Sequence, residues 1–212
     1  MTISNDSRAR IKKVFEPIAL GMGRLGLTPD GLTLIGFGIT AVGAVLVGAQ
    51  LWLAGGLVMF VGGVFDMFDG TLARATGKVS PLGAFMDSVF DRWGEAIVYL
   101  GIVVGGVRAG SDAVAILAAA ALGAAFMVSY TRAKSEGLGF TAGTGMAAIG
   151  IMPREVRLII LSLGLVVTGI AGSLLALEIA LGVIALGATI TVIQRILHVR
   201  SQATSAASTS IK

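Results

Sequence analysis

The chain has 212 residues, 55% of them hydrophobic and only 13% charged, with 31 glycines and a mean hydropathy of +0.91. That apolar excess is more than a soluble domain of this size needs, and it indicates an integral membrane protein of one domain. The absence of cysteine excludes disulfide frameworks and thiol chemistry, while a net charge of +4 and a pI near 9.9 direct attention to anionic headgroups or phosphorylated substrates.

The N-terminal stretch MTISNDSRARIKKVFEPIAL is basic and lacks the apolar core and small-residue cleavage site of a signal peptide. It reads as a short polar lead followed by an interfacial amphipathic helix from about Arg8 to Leu20. GMGRLG at 21–26 matches G-x-G-x-x-G, but it follows a helix with no strand before it, so a dinucleotide site is excluded. TPDGLT at 28–33 opens the first apolar span, with Thr28 or Asp30 as the N-cap and Pro29 in the first turn.

Six apolar segments approach the length of about 20 residues that a span requires. They run over 31–50, 52–75, 81–107, 112–136, 155–172 and 174–197. The third is long enough to tilt or to extend beyond the bilayer. The expected fold is therefore all-α: an integral membrane bundle of six transmembrane helices plus the N-terminal interfacial helix, spanning residues 1–200. The polar segment 201–212, SQATSAASTSIK, reads as a disordered cytoplasmic tail. With both termini in the cytoplasm, every one of the 16 lysines and arginines except Arg108 lies on or near that side, and the external connections AQLWLAG and AGSLLALE carry none. GIVVG at 101–105 has the spacing of a helix-pairing seam and makes the third span a candidate interface.

The second and third spans carry four aspartates. Each costs about 2.5–3.5 kcal/mol to insert. Asp66 and Asp69 are three apart, Asp87 and Asp91 four apart, so each pair shares a helix face. The short turn between the helices makes them antiparallel neighbours, and at about 1.5 Å per residue all four fall in the same third of the bilayer. Converging carboxylates need protons or cations, and hard divalent ions with oxygen ligands, Mg²⁺ or Mn²⁺, suit them. Gly70 and Ala73 bare the helix beside Asp69, and Arg74 stands one turn on, placed to meet phosphate.

The whole pattern is D-x2-D-G-x2-A-R-x8-G-x3-D-x3-D, running from Asp66 to Asp91 with Gly83 as its second glycine. It resembles the signature of the CDP-alcohol phosphatidyltransferase family, with every fixed position at the family spacing, and the resemblance extends to six membrane helices. It implies a phospholipid-synthesising transferase of the cell membrane, dimeric, with its site on the cytoplasmic side. A CDP-linked lipid, usually CDP-diacylglycerol, meets an alcohol whose hydroxyl attacks the lipid-bearing phosphorus and releases CMP. The resemblance implies two metal ions on Asp66, Asp69 and Asp87, with Asp91 completing the centre and acting as general base. It further implies CDP-diacylglycerol contacts at Pro29, Asp30, Thr33, Gly70, Ala73, Arg74 and Ser80, although Asp30 departs from the family's Asn in this stretch.

SYTRAKSEG at 129–137 and MPREVR at 152–157 bring Arg132, Lys134, Arg154 and Arg157 to the same face, with Arg195 at the end of the last span. As a set these suit an acceptor that carries a phosphate, because guanidinium groups fork onto phosphate oxygens. Arg132, Lys134, Arg154 and Arg195 are the expected acceptor-phosphate residues. These stretches are similar to the actinobacterial phosphatidylinositol phosphate synthases, whose acceptor is inositol 1-phosphate. The alternative is a phosphatidylglycerophosphate synthase using glycerol 3-phosphate. A divalent-cation transporter is the third reading; against it stand the one-sided acidic cluster and the lack of an internal repeat.

Overall fold

The computed structural model describes residues 5–140 and 145–209. Among the described residues it contains seven α-helices: α1 (Asn5–Arg24), α2 (Pro29–Gly48), α3 (Trp52–Ala75), α4 (Pro81–Arg108), α5 (Asp112–Gly137), α6 (Arg154–Ala171) and α7 (Leu175–Thr209). A single 3-10 turn, Met146–Ala148, interrupts the long α5–α6 connection.

Local chemistry sets the helix starts. Thr28 and Ser80 cap α2 and α4 through their hydroxyls, accepting from the amides of Gly31 at 3.1 Å and Gly83 at 3.0 Å. A proline follows each cap at the first helical position, where its missing N–H costs nothing. Ser111 caps α5 in the same way, accepting from Val114 at 3.2 Å.

Helices α2, α3, α5 and α7 are long and apolar enough to cross a membrane. The protein is a membrane protein. α4 and α6 fall outside that group: α4 carries Asp87, Asp91, Arg92 and Glu95 in its first half, and α6 opens on Arg154, Glu155 and Arg157.

Neighbouring helices close into a ring, in the order α2, α3, α6, α7, α5, α4 and back to α2, while α1 lies along α3. One apolar core fills the ring, drawing Val47 from α2, Met59 from α3, Tyr99 and Ile102 from α4, Ala118 from α5, Leu165 from α6 and Leu181 from α7. The outside is also apolar: Val45, Leu100, Ile116, Ile170 and Leu186 are each more than half exposed. An apolar outer wall around an apolar core is the signature of a bundle whose solvent is lipid.

Lipid supplies no hydrophobic drive between helices, so they associate by close packing of small residues. The α2–α3 seam does this with glycine on both sides. A Cβ on Gly43 would lie 3.0 Å from the Met59 nitrogen and 3.2 Å from the Gly55 oxygen. One on Gly62 would lie 3.0 Å from the Thr40 nitrogen and 3.2 Å from the Gly36 oxygen. At the same seam Gly36 faces the Asp66 carboxylate, which a Cβ there would meet at 2.5 Å.

Three expectations change. Gly101 and Gly105 pack against Ala44 and Val47 of α2, so the GIVVG seam is taken within the chain and offers no surface to a second copy. The last helix runs past Leu197 to Thr209; residues 210–212 of the expected tail lie outside the described residues, as do residues 1–4 of the polar lead. The N-terminal helix begins at Asn5 and reaches Arg24, longer at both ends than expected.

The glycine seam generates a direct test. Gly62→Ala should destabilise the detergent-solubilised protein by about 1–3 kcal/mol, the usual cost of overpacking. Gly123→Ala on α5, where nothing lies within 4 Å of the new methyl group, should be neutral or slightly stabilising. Thermal unfolding of the two variants side by side checks the contrast; equal melting temperatures would remove the seam.

Candidate active site

The alternation of helix directions brings the starts of α2, α4 and α6 and the end of α3 to one end of the ring. Arg108 marks the opposite end, where it donates to the terminal carbonyl of α2 at Gly48, 2.9 Å away. All four aspartates sit at the first end, and each has a different environment.

Asp69 is buried, 5% exposed. Its Oδ2 accepts a hydrogen bond from the Thr33 hydroxyl at 2.6 Å, across the α2–α3 seam, and its Oδ1 accepts from the amide of Gly70. Asp66 and Asp91 converge from α3 and α4 on a single guanidinium: Arg154 Nη2 lies 2.8 Å from Asp66 and 3.0 Å from Asp91. Asp87 faces two cavities, described next.

The first cavity, about 250 Å³, opens between α2, α3 and α4. Pro29, Asp30, Thr33, Gly70, Ala73, Arg74 and Ser80 all line it, together with Asp69, Asp87, Lys78 and Gly83. All seven residues expected at the CDP-lipid are thus brought to one space. The glycines matter sterically: a Cβ on Gly70 would lie 3.1 Å from the Arg74 guanidinium, and one on Gly83 would lie 3.1 Å from the Ser80 hydroxyl and 3.5 Å from Asp30. Two helix starts, those of α2 and α4, border this cavity and bring positive partial charge to it. A larger open groove of about 800 Å³ shares Asp69, Gly70, Arg74 and Asp87 with it and extends along α1 to Phe15 and Glu16.

The expected acceptor residues divide. Arg154 reaches the aspartates. Arg195 is buried, 4% exposed, and donates Nε to the Ile149 carbonyl at 3.0 Å and Nη1 to the Val128 carbonyl. Arg132 pairs with Glu136 one turn along α5 at 3.0 Å, and both it and Lys134 are exposed. The four therefore do not form one cluster in the structure. Spacing alone brought them to one face, but α5 turns Arg132 and Lys134 outward.

One residue escaped the sequence reading. Glu95, one turn after Asp91 on the same helix face, binds Arg157 through two bonds, at 2.7 and 2.9 Å. An acidic residue at i+4 from Asp91 in an apolar helix was the available signal.

The donor set suits a hard divalent cation. Every candidate ligand is a carboxylate, the sequence has no cysteine, and two of the carboxylates already converge on one positive charge. Among the described residues no three of them enclose a common point, because Asp69 is turned toward Thr33 while Asp66 and Asp91 hold Arg154.

Comparison with known proteins identifies the family. The sequence family described as CDP-alcohol phosphatidyltransferase matches residues 26–193. The chain is 36% identical to the archaetidylinositol phosphate synthase of Pyrococcus horikoshii, over 92% of this chain and 95% of that one. It is 35% identical to the phosphatidylinositol phosphate synthase of Cutibacterium acnes, over 91% of this chain and 95% of that one. The crystal structure of the Mycobacterium tuberculosis phosphatidylinositol phosphate synthase with CDP-DAG bound superposes with a TM-score of 0.79 at 30% identity, covering 88% of this chain and 94% of that one. The same enzyme in complex with manganese and citrate gives 0.77 at 30% identity, over 87% and 88%. With the matched residues running from the start of α2 into α7 and taking in the whole acidic pattern, the chain belongs to the CDP-alcohol phosphatidyltransferase family.

Proposed function

We propose that this enzyme transfers the phosphatidyl group of CDP-diacylglycerol to the hydroxyl of a phosphorylated polyol, inositol 1-phosphate, giving phosphatidylinositol phosphate and CMP. The observation that carries the reading is the placement of Arg154. It stands on the side of the aspartates away from the α2–α3–α4 cavity and is bonded to Asp66 and Asp91. A donor in the cavity and a phosphate on Arg154 would then face each other across the carboxylates. The relatives named for inositol phosphate products support the same acceptor.

In this reading the cytidine diphosphate head occupies the cavity, with its phosphates toward Arg74, Lys78 and the starts of α2 and α4, and the acyl chains leave between helices into lipid. Asp66, Asp69, Asp87 and Asp91 would hold two divalent cations, magnesium or manganese, which when bound neutralise the diphosphate and stabilise CMP as leaving group. Thr33 fixes Asp69 by its hydrogen bond, so that carboxylate is oriented before substrate arrives. Asp91 takes the proton of the attacking hydroxyl as the new P–O bond forms and the bond to CMP breaks. An acceptor phosphate that draws the Arg154 guanidinium toward itself leaves Asp91 free to take that proton, so acceptor binding and base activation are coupled.

The same reading makes α2 to α7 six membrane spans, with α1 on the surface and the site and both termini in the cytoplasm. In α4 the twelve positions after Glu95, Ala96 to Val107, are all apolar or glycine, and the whole helix of 28 residues is about 42 Å long at about 1.5 Å per residue, so it reaches across the bilayer with its charged first half lining the site. The enzyme is a homodimer in this reading, through a face other than the α2–α4 seam.

An acceptor panel tests the proposal. Purified protein with CDP-diacylglycerol and Mg²⁺ should release CMP with inositol 1-phosphate and give little with free inositol, which leaves Arg154 unpaired. Equal use of free inositol would overturn the acceptor assignment; preference for glycerol 3-phosphate would retain the phosphate site and replace the polyol. Arg154→Ala should raise the acceptor KM about tenfold to a hundredfold, as expected when a charge-assisted bond of about 1.5–3 kcal/mol is lost, with little change in the KM for CDP-diacylglycerol. Asp91→Asn should lower kcat by about 10²–10⁴-fold, the usual contribution of a general base, while binding of CDP-diacylglycerol persists; activity above about a tenth of wild type would falsify the base assignment.

A further inference from the structure

Asp91 and Glu95 lie one turn apart on α4, and Arg154 and Arg157 lie one turn apart on α6. The two pairs make a ladder between helices that are not close-packed neighbours in the ring. The first rung is Arg154 on Asp91, at 3.0 Å. The second is the fork of Arg157 on Glu95, Nε to Oε1 at 2.7 Å and Nη2 to Oε2 at 2.9 Å. The second rung is the deeper one: its side chains are 2% and 9% exposed, against 25% and 17% for the first.

Arg157 has a third attachment. Its Nη1 donates to the carbonyl of Met152 at 2.9 Å, so one guanidinium ties α4, α6 and the segment leading into α6. From the other side, the buried hydroxyl of Thr191 on α7 accepts the amides of Ile151 at 3.2 Å and Met152 at 3.0 Å. Only Pro153 separates Met152 from Arg154. A small cavity of about 40 Å³, lined by Arg154, Glu95, Arg157 and the seam residue Thr40, joins the two rungs.

Stability does not account for the deeper rung. Taking two charges out of water costs several kcal/mol per ion, and well-packed apolar pairs in such places are often as stable or more so. A bidentate fork offers what apolar packing lacks: fixed direction and register. The register it fixes is that of Arg154 against Asp66 and Asp91.

We propose that Glu95 and Arg157 are positioning residues for the transfer. By locking the start of α6 to α4 they set the Arg154 guanidinium between Asp66 and Asp91. They thereby govern how strongly that guanidinium competes with a cation for the two carboxylates, and how it meets the acceptor phosphate. The acceptor half of this inference rests on the function proposed above; the cation half does not. Neither residue touches the reacting atoms.

The test uses the full-length protein in detergent, with Glu95→Gln as the isosteric variant. Free Mn²⁺ is followed by electron paramagnetic resonance during titration, alongside thermal unfolding and steady-state kinetics. Glu95→Gln should shift Mn²⁺ affinity about threefold or more in the same direction as Arg154→Ala, and the double variant should add little to either, as for residues acting through one contact. Its acceptor KM should rise about tenfold, a coupling of the ordinary size between linked sites, while the KM for CDP-diacylglycerol stays within about twofold. Should Glu95→Gln fail to fold, Arg157→Lys keeps the charge without the fork and takes the same measurements. A lowered melting temperature with wild-type Mn²⁺ affinity and acceptor KM overturns the proposal, because the pair would then serve only the fold. Additive effects of Glu95→Gln and Arg154→Ala overturn it as well. A shift in Mn²⁺ affinity shared with Arg154→Ala, in an enzyme that uses no polyol phosphate, upholds the positioning role and removes the functional reading instead.

Discussion

Carboxylates within an apolar bundle cost about 2.5–3.5 kcal/mol each to insert, and this protein places four at one end of a six-helix ring. Meeting that cost organises the end of the molecule around them. Asp69 is met by a hydroxyl from α2, and Asp66 and Asp91 share a guanidinium from α6. Four helices, α2, α3, α4 and α6, must therefore arrive in fixed register at the same level, and the short turns and capped starts of α2 and α4 bring two of them there.

Close approach between α2 and α3 makes the arrangement sterically feasible. Thr33 reaches Asp69 at 2.6 Å only because Gly36, Gly43, Gly55 and Gly62 let two helix backbones meet. The same small residues that replace hydrophobic drive in lipid therefore also set the geometry of a buried carboxylate. On the other side of the ring, α4 and α6 do not pack closely, and long paired side chains bridge them. Close backbone contact holds one flank of the site and charged struts hold the other. In the function proposed, a nucleotide on a lipid tail and a water-soluble acceptor would meet at that boundary, with the carboxylates between them.

Much of this was legible in the sequence. Hydropathy and length located helices α2 to α7 to within a few residues for most ends, and for the four long apolar ones the reason is that lipid leaves a chain few alternatives to a continuous helix. The aspartate spacings put Asp66 with Asp69 and Asp87 with Asp91 on shared faces, which helical period alone dictates. The Thr-Pro and Ser-Pro starts gave their caps directly. Within one helix or across one short turn, local rules suffice.

Relations between distant helices were decided by tertiary structure. Sequence placed Arg132, Lys134, Arg154 and Arg195 on one face, but only packing determined that Arg154 meets the aspartates, that Arg195 turns to the carbonyls of Val128 and Ile149, and that Arg132 finds Glu136. GIVVG carried the spacing of a helix seam without saying which helix would fill it, and α2 of the same chain does. Glu95 was not legible from the sequence because its partner, Arg157, lies 62 positions away on a helix that is not a close-packed neighbour of α4. Hydropathy and spacing report on one helix at a time; which long cationic side chain finds which carboxylate depends on how the ring closes, and that is fixed by glycine seams and side-chain volumes summed over all six helices.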